Sequence, residues 1–352
     1  MTAAAVADLV QLRKRAAAAV GERWPGARLS ELEPLPGGIS SLTFAAWLTG
    51  ARGAADVKDP DRWGRRVVVK VAPPGLAPVR NRDVLRQARL LRALADVPGV
   101  RVPEVLGEQD GSPPLFVMEF VAGETYEPKW DAAAAPPEPE VVWRRASGAA
   151  TMLAHLHAPV PASVGLGVEP ELSVSQELER WGRLFETVSD DLRGDERRLL
   201  QGLEAKLPAA VAPRITHGDY RLGNLLFAGD QLRAVIDWEL WSVGDPRTDL
   251  AWLVVFCDPM LERATGRDAA NQAAASAMPA GDALVAAYEA VRPNSSTELN
   301  WFVASGYYKL ASTLSALAKR NRRSSQPDPT LERAAQTLAP TIERGLQVLG
   351  VG

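Results

Sequence analysis

Thr216-His217-Gly218-Asp219-Tyr220-Arg221-Leu222-Gly223-Asn224 is the stretch that decides how this chain is read. Asp219 and Asn224 stand five residues apart on a polar, glycine-containing segment. Thirteen residues after Asn224 comes Asp237, at the end of the apolar run Ala234-Val235-Ile236. Phosphoryl transfer needs three such groups. One carboxylate accepts or orients a hydroxyl proton, and an amide oxygen and a second carboxylate hold the Mg2+ that bridges the phosphates. A solvated turn followed by a hairpin is the competing reading. Three roles in the correct order speak against it.

Asp-x4-Asn followed by a strand-end Asp is also the order of a kinase catalytic loop and its metal-binding aspartate. Together with Ile236-Asp237-Trp238-Glu239 and Asp245-Pro246-Arg247-Thr248-Asp249-Leu250-Ala251-Trp252, the motif resembles the phosphotransferase family of aminoglycoside and choline kinases. The run from His217 to Trp252 most resembles the branch fused to, or encoded near, acyl-CoA dehydrogenases, and the similarity extends loosely from Gly37 to Arg323. The resemblance implies an α+β, protein-kinase-like fold of two lobes, ATP and Mg2+ as cofactors, and a small-molecule hydroxyl as acceptor. At the matching positions it makes Asp219 the base, with His217 and Arg221 in the same catalytic loop, His217 as a buttress. It makes Asn224 and Asp237 the magnesium ligands, and Asp249 a brace for the loop. Glu239, beside the metal aspartate, is open to two roles, touching substrate or bracing a helix.

A kinase also needs a lysine for the α- and β-phosphates and a loop that covers them. Lys70 sits in Val67-Val68-Val69-Lys70-Val71, a β-branched run expected to be a buried strand, where a charge requires a partner or a ligand. Gly37-Gly38-Ile39-Ser40-Ser41 precedes a strand-like run as a phosphate-covering loop would, since glycine lets backbone N–H groups approach phosphate oxygens. Two glycines also mark ordinary turns, so position upstream of Lys70 is what recommends Gly37, Gly38, Ser40 and Ser41. No Gly-x4-Gly-Lys-Ser/Thr motif exists, so the P-loop class has no support. Kinase lysines pair with a glutamate on the following helix. Here Gln87 occupies that place, a departure that leaves Asp83 or Asp237 as the expected partner of Lys70 without nucleotide. By resemblance, the Glu119 carbonyl and the Val121 N–H, next to Met118, face the adenine edge.

Outward from these motifs, the texture predicts a helix within residues 1–28, a small mixed α/β lobe over 29–122 that binds nucleotide, and a larger, mainly helical lobe over 123–352. Residues 51–65 read as a hairpin loop, 81–96 as a helix, and Leu115 to Val121 as a strand. Val141 to His157 reads as a long helix, and Ser173-Val174-Ser175-Gln176 fits a capping box. His155 and His157 are two apart and point to different faces of a helix, which disfavours metal binding. Trp238, Trp241 and Trp252 read as core.

The chain has 352 residues, 46% hydrophobic and 24% charged, with a formal net charge of −3. That balance argues against nucleic acid, which needs a basic field, and against a membrane surface. One cysteine, Cys257, builds no disulfide framework and reads as core packing. No run is long and apolar enough to span a bilayer, and the expected location is cytoplasmic. No obligate protein partner is implied. The acceptor is less defined. Aminoglycosides are polycations and want an acidic cleft. Residues 301–323 instead hold Lys309, Lys319, Arg320, Arg322 and Arg323 and no acid. Such a cluster suits an anionic acceptor such as a hydroxyacyl-CoA-like compound, or is simply a solvated helix face. An antibiotic kinase (aminoglycoside or macrolide) and a non-catalytic ATP-binding scaffold are the alternatives.

Overall fold

The structure is a computed structural model that describes residues 3–35, 41–50, 64–261, 268–328, 331–332 and 335–351. The loop residues Gly37, Gly38 and Ser40, and nearly all of the expected 51–65 hairpin loop, lie outside this set. The chain forms two compact units, each described in turn.

The first unit begins with α1 (Ala3–Gly21), β1 (Arg28–Leu29), β2 (Glu33–Pro34), β3 (Leu42–Thr49) and β4 (Arg65–Val71). It continues with α2 (Val84–Leu94), β5 (Val105–Gln109) and β6 (Leu115–Glu119). The strands form an antiparallel sheet ordered β1-β3-β4-β6-β5, with β2 paired to β3. Strand periodicity divides β4 between two faces. Val67, Val69 and Val71 join Leu12, Ala16, Ala19 and Val20 of α1 in one apolar core. Val68 and Lys70 turn the other way, opposite Met118 and Phe116 of β6. Helix α2 begins at Asp83, whose side chain accepts the Arg86 N–H.

The N-terminal helix is therefore part of the sheet unit and not a separate piece, a difference from the division expected at residue 28. Its approach is close. A Cβ on Gly107 of β5 would sit 2.1 Å from the Ala19 carbonyl oxygen of α1.

The second unit is mainly helical: α3 (Pro139–Leu156), β7 (Glu171–Leu172), α4 (Val174–Glu186), α5 (Glu196–Ala205) and β8 (Arg214–Thr216) open it. Ser173 and Gln176 form the expected capping box at the start of α4. The chain then makes a hairpin, β9 (Leu225–Ala228) and β10 (Gln231–Val235), most of which belongs to the first unit. Glu124 and Phe227 exchange backbone hydrogen bonds, and the Val235 N–H donates to the Arg101 carbonyl. These bonds to distant sequence are why a single boundary near residue 123 does not describe the units.

Strand β11 (Ser242–Gly244) returns to the second unit and pairs parallel to β7 and antiparallel to β8. Helices α6 (Arg247–Val255), α7 (Ala269–Ser276), α8 (Gly281–Glu289), α9 (Leu299–Arg322) and α10 (Leu338–Leu349) complete it. Helix α9 is buried nearly all round and packs against α4, α5, α6 and α10, as a helix apolar on every side must. Arg247 is buried at the start of α6, where Asp245 pairs with it at 2.7 Å and the Ala209 carbonyl accepts from it. His157 follows α3 in the core. Its Nε2 lies 3.3 Å from Asp249 Oδ2 and its Nδ1 2.8 Å from the Tyr288 hydroxyl. No helix of the described residues is long and apolar enough to cross a membrane.

Two predictions follow from packing and burial. Gly107→Ala is expected to destabilise the first unit by about 1–3 kcal/mol, because backbone must shift to admit the methyl group; urea unfolding curves read this. Burial holds the His157 imidazole below its ordinary pKa of 6.5, although Asp249 acts in the opposite sense. The unfolded chain therefore binds the extra proton first as pH falls, and stability declines below the ordinary histidine value. Denaturation midpoints measured from pH 7.5 down to pH 5 should show that decline. His157→Gln, which does not titrate, should flatten it.

Candidate active site

In the first unit, Lys70 is 6% exposed, and its Nζ lies 3.5 Å from Asp237 Oδ1. Asp83 is occupied as the cap of α2, and Gln87 donates its Nε2 to the Asn81 carbonyl at 3.3 Å. Of the two carboxylates expected to hold Lys70, Asp237 is the one that does. Asp237 has φ 63° and ψ 56°, a left-handed conformation that a non-glycine residue adopts only when its surroundings hold it there. What holds it is visible on both sides. Trp238 is buried and donates its Nε1 to the Val235 carbonyl at 3.0 Å. The Ile236 N–H donates to the Asn224 carbonyl at 3.0 Å, which ties Asn224 to the strand end that carries Asp237. Arg86 lies over the Trp241 ring at 3.7 Å, fastening α2 to the same segment.

Lys70, Gln87, Phe116, Met118, Asp237 and Trp238 line a small pocket. The Glu119 N–H is used by the Glu104 carbonyl at 2.8 Å, and the Val121 N–H makes no hydrogen bond to the described residues. Ser41 is buried, and its Oγ has no hydrogen-bond partner among the described residues. Glu239 lies in the short 3-10 turn after Asp237.

In the second unit, Asp249 organises the loop that carries Asp219. Its Oδ2 accepts the His217 N–H at 2.6 Å, and its Oδ1 accepts the Gly218 N–H at 2.9 Å. Burial alone would raise the Asp249 carboxyl. Hydrogen bonds from His157 and from the backbone of His217 outweigh that, so its pKa lies below the ordinary value. His217 Nδ1 accepts the Asp219 N–H at 3.1 Å, the geometry of a buttress. Trp252 donates its Nε1 to Asp219 Oδ1 at 2.8 Å, and Arg221 Nε lies 3.5 Å from Asp219 Oδ2. The Asp219 side chain remains 25% exposed, so it is held in place and still accessible.

Several participants escaped the sequence reading. Glu127 is buried, accepts the Gly223 N–H at 3.0 Å, and lies 3.5 Å from Arg221 Nη1. Burial pushes its carboxyl up to about 7 against the pull of Arg221. It lies in Tyr126-Glu127-Pro128-Lys129, among other charged and polar residues, where no motif singles it out. Trp252, read as core, is core and also a donor to Asp219.

The basic run 301–323 is divided in the structure. Lys309 is buried and donates to the Gly218 carbonyl. Lys319 donates to the Thr187 carbonyl, and Arg322 pairs with Asp191 and Glu332. Burial thus removes Lys309 from the run, while Arg320, Arg322 and Arg323 stay exposed at the end of α9, as a solvated helix face would.

The model of the phosphotransferase enzyme family matches residues 31–292. Human acyl-CoA dehydrogenase family member 11 is 26% identical over 298 residues, 80% of this chain and 37% of that protein. The chain thus spans little more than a third of that relative's length. A Ralstonia eutropha protein assigned as an aminoglycoside phosphotransferase superposes with a TM-score of 0.71 at 22% identity, covering 94% of this chain and 95% of that one. The aminoglycoside phosphotransferase APH(4)-Ia, in ternary complex with AMP-PNP and hygromycin B, superposes with a TM-score of 0.53 at 14% identity, covering 92% and 95%. At these identities the two structures establish the fold, which is protein-kinase-like, with an antiparallel-sheet unit and a mainly helical unit. The family match covers most of the chain, and the chain belongs to the phosphotransferase enzyme family.

Proposed function

We propose that this chain transfers the γ-phosphate of ATP to a hydroxyl of a small molecule, with Asp219 as the base. The observation that carries the proposal is the state of Asp219. One of its oxygens is fixed by Trp252, its backbone is locked through Asp249 and His217, and its carboxylate is still accessible. A carboxylate so held can orient an acceptor hydroxyl and take its proton as the oxygen attacks phosphorus. Arg221 steadies the same carboxylate from its second oxygen.

The first unit supplies groups of the kind a nucleotide needs. Lys70 carries an ammonium of the kind that binds phosphate oxygens, and the Ser41 hydroxyl and the Val121 N–H, without hydrogen-bond partners among the described residues, are donors of the kind that phosphates and an adenine edge require. The donor set also fits magnesium. Asn224 and Asp237 offer oxygen ligands, and Mg2+ commonly takes one or two protein ligands and completes its shell with phosphates and water. When bound there it would neutralise phosphate charge, with Asn224 and Asp237 as its protein ligands. Gln87 is the support for a non-catalytic scaffold, and the pairing of Lys70 with Asp237 weighs against that reading.

The acceptor follows from weaker indications. Similarity to an acyl-CoA dehydrogenase family member makes hydroxyacyl-CoA-like compounds the first acceptors to try. Likeness in fold to a hygromycin B-bound phosphotransferase places antibiotics second. Incubation of the protein with MgATP and each candidate, read as a phosphoryl mass shift on the acceptor, tests the function directly. No shift with any alcohol would count against it.

Asp219→Asn should keep ATP binding and lower kcat by ~10²–10⁴-fold, the usual worth of a positioned base; native turnover would remove Asp219 from that role. Asp237→Ala should abolish the magnesium dependence of nucleotide binding in a calorimetric titration, and an unchanged isotherm would refute the ligand assignment. Gln87→Glu should be tolerated and lower the KM for ATP, because a helix carboxylate would draw Lys70 away from Asp237.

A further inference from the structure

Lys309 lies inside the second unit, on α9, where the sequence suggested an exposed basic run. It is 8% exposed, and its Nζ donates to the Gly218 carbonyl. The ammonium sits 4.0 Å from the centroid of the Trp252 ring and 5.3 Å from that of Trp181. No carboxylate of the described residues is within ion-pair distance of it. Glu177, Asp219 and Asp249 act on it from further off, and Arg180 opposes them. An aliphatic side chain would fill the space between two indoles without the desolvation of a charge. The lysine is therefore explained by what its ammonium holds.

What it holds is the peptide unit just before Asp219. Gly218 has φ +81°, a left-handed conformation suited to glycine. The nitrogen of that peptide, the Asp219 N–H, is bound by His217 Nδ1, and its carbonyl oxygen is bound by Lys309. Both edges of one plane are thus fixed, which leaves little freedom for the Asp219 Cα–Cβ bond. Trp252 contributes twice, since its ring faces the ammonium and its Nε1 holds the Asp219 carboxylate.

We propose that Lys309 is a positioning residue for the phosphoryl transfer. Its ammonium clamps the Gly218–Asp219 peptide, and with Trp252 it sets the direction of the Asp219 carboxylate. The proposal rests on the reading of Asp219 as base, and its test separates the two. The full chain, its Lys309→Met and Lys309→Arg variants and Asp219→Asn would be compared for ADP release from MgATP with water as the acceptor, and for amide hydrogen exchange. Lys309→Met should lower kcat by ~10–10²-fold, the scale of a misplaced catalytic group, with the KM for ATP changed by less than about twofold. Exchange at residues 217–219 should quicken while protection along α9 persists. Lys309→Arg, which keeps a cationic donor, should recover part of the rate. Unchanged kcat and unchanged exchange in Lys309→Met would overturn the proposal. So would a loss of protection spread over the whole unit and not recovered by arginine, since that is the mark of packing alone. Native turnover by Asp219→Asn would defeat the base assignment, whereas exchange at 217–219 would still decide the clamp. Should Lys309→Met fail to fold, Lys309→Gln, a neutral donor of similar length, would be measured in the same way.

Discussion

The buried carboxylate of Asp249 is the constraint on which the loop from His217 to Gly223 depends. It accepts from the His217 N–H, the Gly218 N–H and the His157 ring, and it is almost wholly removed from water. An isolated charge there would be very unfavourable. Three donors converging on two oxygens reverse the balance, because hydrogen bonds to an ionised acceptor are roughly twice as strong as neutral ones. The stabilisation is local, so it fixes the loop at the two residues that lead into Asp219. The distant parts of the unit then serve Asp249. Helix α3 delivers His157, Tyr288 of α8 steadies that imidazole, and the Asp245–Arg247 pair anchors the start of α6.

A parallel problem is solved differently in the sheet unit. Lys70 lies on a central strand, and the period of two places it on the face opposite the apolar core under α1. A lysine there needs an anion. The residue on α2 that could have supplied one is Gln87, turned to the Asn81 carbonyl, and Asp83 is held as a helix cap. Asp237 takes the part, from a strained turn braced by Trp238 and the Asn224 carbonyl. Lys70 and Asp237 thus neutralise each other on that face of the sheet.

Much of this was legible in the chain itself, for local reasons. The Asp-x4-Asn spacing, the valine-rich strand around Lys70 and the Ser173 capping box are patterns whose physics is complete within a few residues. That Lys70 needs an aspartate followed once Gln87 was seen to lack a charge, whereas the choice of Asp237 over Asp83 came from the structure, where Asp83 caps α2. What was not legible came from long-range contacts. Glu127 reaches Gly223 across 96 positions, and Lys309 reaches Gly218 across 91. Short strands such as β7, β8 and β11 carry too few residues to show a period. The apolar run at Ala234-Val235-Ile236 was visible, yet the unit that the β9–β10 hairpin joins was decided by bonds to Arg101 and Glu124.

The charges that escaped the sequence reading share one cause. From His217 to Gly223 the chain is largely irregular and much of it is buried, so its backbone N–H groups cannot rely on a ladder or on solvent. Side chains take that place: Asp249 for residues 217 and 218, the His217 ring for 219, and Glu127 for 223. Two of these three acceptors are carboxylates, and buried anions call for cations nearby. Arg221 answers Glu127 and Asp219, and Lys309 stands beside the loop with its ammonium on the Gly218 carbonyl. Removing any one member leaves a charge or a backbone group unsatisfied, so single deletions in the set should not add. The alternating charges around Asp219 are thus first a solution to a buried, irregular backbone. The same solution leaves the Asp219 carboxylate firmly held and still exposed, the state on which the proposed role of Asp219 as base relies.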